Sequence, residues 1–322
     1  MTDLLNTPFF LKSLKLPNRL IQGPLAGYSC APFRKLFSLF KAPAYCVSEM
    51  LSAYDVLHKH TSNDRYLYRA TEETTLCYQI AGNDPYTMAA AARKLELLGA
   101  NIIDINCGCP KPKIRKKGAG SILLEQPEQL IRIVTAVRTA IAIPLTVKIR
   151  LQENSAKDIE LVEKIAKTGA DAIIIHGRRW FDNYDVPCNL KRISLIKKTI
   201  DIPIIVNGDL KDGQTTLNAL ATTGCDAFMI SRAGTGNPEL FQEILSNKSI
   251  NLDKQQLIAL FLYHLNGLAN LENEYKAVLQ SRSLMRYYFR DSLSKSLWPM
   301  FYQLTSLKEI EQFLINNLVI ER

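Results

Sequence analysis

The stretch DINCGCPKPKIRKKGAG, residues 104 to 120, concentrates groups that can do chemistry. An apolar run ends in Asn106, offers two thiols at Cys107 and Cys109, and passes into five cations and a glycine pair. A C-x-C pair without a second pair or a nearby histidine lacks the four ligands of a usual zinc site, so no metal is expected. A free thiol is more often a buried apolar filler than a reagent, and that reading stands for Cys107. The cations from Lys111 to Lys117 are by default a solvated loop, and gain meaning only if a phosphate-bearing ligand sits beside them. Further polar residues end other apolar runs: Gln79, Lys148, His176, Asn207 and Ser231, with Arg150 and Arg232 just beyond.

Those residues need elements to bring them together. Eight short β-rich runs begin at residues 20, 44, 75, 101, 144, 171, 203 and 226, most of them continuously apolar, as expected of parallel strands covered on both faces. Helical patterns lie between them, and three of these run into a glycine suited to a helix C-terminus. Eight strand-helix units predict an α/β fold, a (β/α)8 TIM barrel, with a doubly wound sheet as the alternative. From about Leu252 the pattern is helical only, which predicts a C-terminal all-α domain and a division into residues 1–245 and 246–322. Chemistry in such a barrel sits at the C-terminal strand ends. VNGDLKDG (206 to 213) and ISRAGTGNP (230 to 238) place small residues there before a helix, where freed N–H groups and Arg232 suit a phosphate. Lys148 and Gln79 would serve the other end of a phosphorylated cofactor, and in a flavin a cation there would stabilise the reduced ring.

The 322 residues are 47% hydrophobic and carry a net charge of +9, so a sizeable core is affordable and a polyanion is a candidate partner. Seven scattered cysteines argue for reduced thiols and a cytoplasmic address, and no apolar run approaches the roughly 20 residues of a membrane span. The N-terminus lacks the basic start and long apolar segment of a signal peptide. No tandem repeat or low-complexity segment is present.

GPLAGYSCAPFR (23 to 34), YQIAGNDP (78 to 85), DINCGCPKPK (104 to 113), GAGSILL (118 to 124), VKIR (147 to 150), HGR (176 to 178), NGD (207 to 209) and SRAGTGNP (231 to 238) occur in one order along the chain. In that order they resemble the tRNA-dihydrouridine synthases over essentially the whole sequence, and VSEM (47 to 50) looks most like the bacterial B-type subgroup. The resemblance implies an FMN-bearing barrel, a helical tRNA-binding domain, a monomer, and NADPH-driven reduction of a tRNA uridine to dihydrouridine. Pro24, Leu25, Ala26, Gln79, Lys148, His176, Asn207, Gly208, Asp209, Ser231 and Arg232 match FMN-holding positions. Asn106, Lys148 and Arg150 match positions that contact the target base, and Cys109 matches the thiol of the family's GCP. A thiol ordinarily keeps its proton at neutral pH, so Cys109 would protonate C5 as hydride reaches C6. Arg178 and Tyr184 would face the substrate, Lys111 and Lys113 would lie at the mouth where tRNA phosphates approach, and Arg286 would meet phosphate from the family's tRNA-facing helix.

The chain departs from the family pattern at several points. Leu25 replaces a usual methionine, Gly23 a usual alanine, and Ser231 a usual glycine; Arg179, Trp180 and Val186 alter the loop after HGR; Tyr287 and Tyr288 stand where a basic pair is common. Base or position preference is where these changes would act. The competing functions are another FMN barrel, such as an ene-reductase or a dihydroorotate-dehydrogenase-like enzyme, and an RNA-binding scaffold that has lost its chemistry. Charge, the GCP thiol and the helical C-terminus speak against the first, and intact flavin-site residues against the second. His58, His60 and His264 are expected to be structural.

Overall fold

A computed structural model describes residues 2–41 and 43–319. A hairpin of β1 (Phe9–Leu11) and β2 (Leu14–Leu16) precedes eight strands: β3 (Leu20–Gln22), β4 (Tyr45–Ser52), β5 (Leu76–Ala81), β6 (Ile102–Cys107), β7 (Leu145–Leu151), β8 (Ala172–Arg179), β9 (Ile204–Asn207) and β10 (Ala227–Ile230). The eight close into a parallel barrel in sequence order, β10 pairing back onto β3. This is the TIM barrel that the apolar runs predict. Several strand limits differ from the runs. β3 stops at Gln22, because Pro24 has no N–H to give a neighbour. β4 runs on to Ser52, because an extra residue between Val47 and Met50 forms a bulge against β5.

Alternation along the strands divides the core. Ile21, Val47, Cys77, Ile102, Ile174, Ile205 and Met229 fill the interior, while Leu20, Tyr78, Ile103, Ile105, Val147, Ile175 and Val206 face the helical layer. Phe9, Leu11 and Leu16 of the hairpin pack on the interior set, against residues such as Ile102, Ala172 and Ala227 that begin their strands. The hairpin therefore seals the N-terminal floor. Helix geometry follows local chemistry: Asp84 accepts the Thr87 N–H to cap the helix Pro85–Leu97, and Gly99 just beyond takes φ 90°.

No strand occurs among the described residues after β10. The helix Lys254–Leu271 packs on the barrel's helix Ala31–Leu36, where a Cβ on Gly267 would stand 3.0 Å from Pro32. Phe33, Phe37 and Phe241 pack edge to face on the barrel side and Phe261 and Phe289 on the helical side, and His264 meets Phe33 at 6.1 Å between them. Gly236 meets the backbone of Tyr287 and Tyr288 in the helix Glu274–Tyr288 so closely that a Cβ would lie 2.8 Å from it. The helical segment and the barrel share one continuous core. Among the described residues no helix is long and apolar enough to cross a membrane, and no cluster of three metal-ligating side chains forms.

Candidate active site

Strand parity sets the site. On β6, Asp104 and Asn106 point inward; on β7, Thr146, Lys148 and Arg150 do; on β8 His176 and on β9 Asn207 complete the ring. Cys107 has the opposite parity and is buried among the apolar residues of the helical layer, where burial pushes its thiol pKa far up. Cys109 lies two residues past the strand and is half-buried.

A hydrogen-bonded chain orders the polar floor of the mouth. Thr146 Oγ1 donates to Asp104 (2.7 Å), Gln79 Nε2 donates to the other Asp104 oxygen (2.7 Å), and Asn106 Nδ2 donates to Gln79 Oε1 (2.8 Å). Asn106 Oδ1 then accepts the N–H groups of Gly108 (3.2 Å) and Cys109 (2.9 Å). Asn106 thus fixes the segment that carries the thiol. From the other side the Cys109 carbonyl accepts the Ser121 N–H at 3.0 Å, past Gly120, whose φ of 67° and closeness to that carbonyl leave no room for a side chain. Burial raises the Asp104 pKa to about 6, against the lowering by its two hydrogen bonds.

Across the mouth Lys148 Nζ donates to Asn207 Oδ1 at 2.9 Å, and Asn207 Nδ2 donates to the Met229 carbonyl. Burial pushes the Lys148 pKa down to about 8, partly opposed by the charge of Asp104. Arg150 gives Nη1 to the Arg179 carbonyl at 2.9 Å, and its own pKa is lowered, first by burial. His176 is pushed down to about 2 by burial and the surrounding Lys148, Arg150, Arg178 and Arg232, so it stays neutral and serves as a hydrogen-bonding group. At the far edge Arg232 lies 4.0 Å over the Tyr184 ring. The opposite rim is Pro24 to Gly27, half-buried to exposed.

The donor set is what an anionic, phosphorylated ring system requires. Among the described residues Lys148, Arg150 and Arg232 form no ion pair, and their contacts are an amide, a backbone carbonyl and an aromatic ring. Lys148 and Arg150 are buried while Arg232 is exposed at the rim, and desolvated cations without a carboxylate partner favour a bound anion. Backbone also approaches closely here: Gly208 takes φ 108°, and a Cβ on it would strike Cys188 Sγ and the His176 ring.

Comparison with known proteins decides what this mouth belongs to. A sequence model described as dihydrouridine synthase matches residues 21–317. The chain belongs to the dihydrouridine synthase family. Among curated relatives it is 36% identical over 284 residues to "tRNA-dihydrouridine synthase B" of Vibrio parahaemolyticus, covering 86% of this chain and 88% of that one. It is 39% identical over 232 residues to the protein of the same name in Yersinia pestis, 71% and 72% of the two chains. Solved structures show the same fold at low identity. An old yellow enzyme homologue from Zymomonas mobilis superposes with TM-score 0.56 at 12% identity, over 77% of this chain and 94% of that one. Histamine dehydrogenase from Rhizobium gives 0.60 at 14%, over 82% and 51%.

Not every residue singled out in this synthase faces the mouth. Arg178 is buried and fully engaged: it donates to both Asp209 oxygens (2.7 and 2.9 Å), to the Tyr184 carbonyl (3.0 Å) and to the Val186 carbonyl, bracing its own loop, and its Nη1 meets His176 Nε2 at 3.3 Å, so it reaches the ring from behind that histidine. Asp209 is thereby neutralised by Arg178, and it also caps the Cys188 N–H. Tyr184 is exposed, stacked at 6.5 Å from His176. Lys111 and Lys113 are exposed at the short helix Pro112–Arg115, on the rim after β6. Arg286 is exposed on the helix Glu274–Tyr288, away from the ring, over Trp298 (5.3 Å) and bonded through Nε to Tyr302. Ser231 Oγ occupies the space a Cβ of Gly23 would fill, 2.4 Å from it. Tyr288 is interior, bonded to His264 at 3.1 Å, and Tyr287 meets Tyr28 edge to face at 5.8 Å.

Sequence reasoning missed Asp104, Cys188, Glu49 and Arg65. Asp104 had a signal, a lone carboxylate in phase with Asn106. Arg65 had none, because its partners Glu49, Glu272, Gln280 and the Gly27 carbonyl are scattered along the chain.

Proposed function

We propose that this synthase reduces the C5=C6 bond of a tRNA uridine to dihydrouridine, with FMN as its flavin, NADPH as reductant and Cys109 as proton donor. When bound, FMN supplies the hydride for C6. Lys148, Asn207, Gln79, His176, Ser231 and Arg232, with the backbone of Pro24–Ala26 and Gly208, are the groups that would hold it. Lys148 offers its charge to the electron-rich ring, and Arg232 offers a guanidinium free of carboxylates to the phosphate. Neutral His176 donates or accepts without competing for the proton. Asn106 and Arg150 orient the uracil by hydrogen bonds, and Cys109 delivers its proton to C5, so one hydride and one proton saturate the bond.

The observation that carries this reading is the placement of Cys109. Asn106 and Ser121 tie its backbone at the mouth, and it lies near enough to Lys148 and Arg150 to act on both electrostatically. Residues 1–245 would form the catalytic unit and 246–322 the helical tRNA-binding unit, with Lys111, Lys113 and Arg286 meeting phosphates and the uridine turned out of its stack into the mouth.

Nucleoside mass spectrometry of unmodified tRNA, incubated with protein, FMN and NADPH, tests this beside Cys109→Ala. Dihydrouridine from the wild type and a loss of about 10²-fold or more in the variant are expected. No product from flavin-loaded wild type would favour a small-molecule reductase, and equal product from both would remove Cys109 from its role.

A further inference from the structure

The turn after β8 touches both β7 and the segment that follows β6. Two extra residues on β8, between the partners of Arg150 and Leu151, bulge the strand and bring Arg179 back into register. The Arg179 carbonyl holds Arg150, while the Arg179 side chain and N–H both close on Asp182, which stiffens the turn. The next residue, Trp180, reaches past β7 to the segment that follows β6. The Arg115 guanidinium lies 3.7 Å from the centre of the indole ring.

Arg115 belongs to the segment that carries the thiol. Its Nη1 donates to Ser121 Oγ at 3.0 Å and its Nη2 to Glu125 at 2.8 Å, and the Ser121 N–H holds the Cys109 carbonyl at 3.0 Å. A continuous path therefore runs from Trp180 through Arg115 and Ser121 to Cys109. Phe181 packs edge-on against the indole at 5.4 Å, and both rings border an open cavity of about 560 Å³ shared with Leu124, Leu151 and Leu161. The guanidinium, in turn, finds in the indole a flat partner that leaves its hydrogen-bonding fork free for Ser121 and Glu125.

We propose that Trp180 is a positioning residue for the proton donor: its stack on Arg115 locks the Cys109 segment to the turn that holds Arg150, fixing thiol and base contact in one frame. This rests on the reading of Cys109 as proton donor. A displacement of the order of 1 Å at a reacting group costs up to about 10²-fold in rate, which is the scale a loosened segment should reach.

Trp180→Ala, Trp180→Phe, Arg115→Ala and the double variant Trp180→Ala/Arg115→Ala test it with two readouts. One is the alkylation rate of Cys109 by iodoacetamide without tRNA, followed by peptide mass spectrometry. The other is single-turnover dihydrouridine formation by pre-reduced enzyme at saturating tRNA. Trp180→Ala should speed alkylation several-fold, by about fivefold, and slow turnover by about ten- to a hundredfold. Trp180→Phe, which keeps an aromatic face, should stay within about twofold of wild type in both, and the double variant should be no worse than the worse single. If Trp180→Ala does not fold, Trp180→Leu, which fills the site without a π-face, must show the same two changes. Wild-type alkylation together with a loss confined to half-saturation by tRNA would overturn the proposal, as would effects that multiply in the double variant. Full activity of Cys109→Ala would refute the proton-donor reading alone, because the alkylation rates would still decide whether Trp180 holds the segment.

Discussion

Lys148 is a buried cation whose nearest partner is a neutral amide, and this gives it a pH signature. Its folded pKa of about 8 lies below the ordinary lysine value of about 10.4, so its charge is present below about 8 and lost as pH rises through it. Without ligand the protein is stabilised as pH climbs from about 8 toward 10.4, because only the unfolded chain still binds that proton. Binding of an anion behaves oppositely. FMN affinity, followed by fluorescence quenching, should weaken as pH rises through about 8 in the wild type, and the same titration of Lys148→Met should be weak and flat. A pH-independent wild-type affinity would mean that Lys148 does not face the bound anion. The convergence of such residues was legible in the sequence, since a polar group closing an apolar run sits at one end of a parallel strand. The difference between Cys107 and Cys109 also has a simple physical origin, because one residue of parity sends Cys107 into the helical layer. Arg178 was not legible: nothing local shows that Asp209, 31 residues away, takes its charge.

Between residues and molecule stand the strand ends, where this chain has exchanged bulk. Gly23 leaves β3 with no side chain, and the hydroxyl of Ser231 from the end of β10 fills the gap. Gly23→Ala should therefore cost about 1–3 kcal/mol by overpacking, and Ser231→Gly in the same protein should recover part of it, because Met229 Cγ also stands 2.8 Å from that Cβ. Equilibrium denaturation of the two singles and the double would reveal a coupling that distant sites lack. Additive costs would show that the two strand ends relax independently. Gly208→Ala should be harder to rescue, because its positive φ adds backbone strain to a clash with Cys188 and His176. The eight strands could be read from their apolar runs, but the bulges on β4 and β8 could not. A bulge depends on which residue a neighbouring strand places opposite, and that register has no local sequence code.

At the scale of the whole molecule the barrel and the helical segment are tied by Arg65. It bridges Glu49 (2.8 Å), Glu272 (2.7 Å), Gln280 (3.0 Å) and the Gly27 carbonyl (3.0 Å), and Glu49 in turn takes the Gly27 N–H. One side chain thus holds the Pro24–Gly27 rim and the helices in a common frame. Arg65→Met should cost about 3 kcal/mol by stranding the buried Glu49 carboxylate, while half-buried Glu272 keeps Lys276, and should weaken FMN and tRNA binding together. Loss of stability with both affinities unchanged would confine Arg65 to a structural role. tRNA binding should itself fall steeply with salt if phosphate contacts dominate it.

The sealed floor of the barrel has a kinetic corollary. With Phe9, Leu11 and Leu16 stoppering one end and aliphatic side chains filling the bore, the polar ring communicates with solvent in a single direction. On the reading proposed above a nicotinamide and a uracil both enter from that direction, and if they share one seat at the flavin each has to depart before the other arrives. Initial rates at several fixed tRNA concentrations should then give parallel double-reciprocal lines against NADPH, and an excess of either reactant should inhibit competitively with the other.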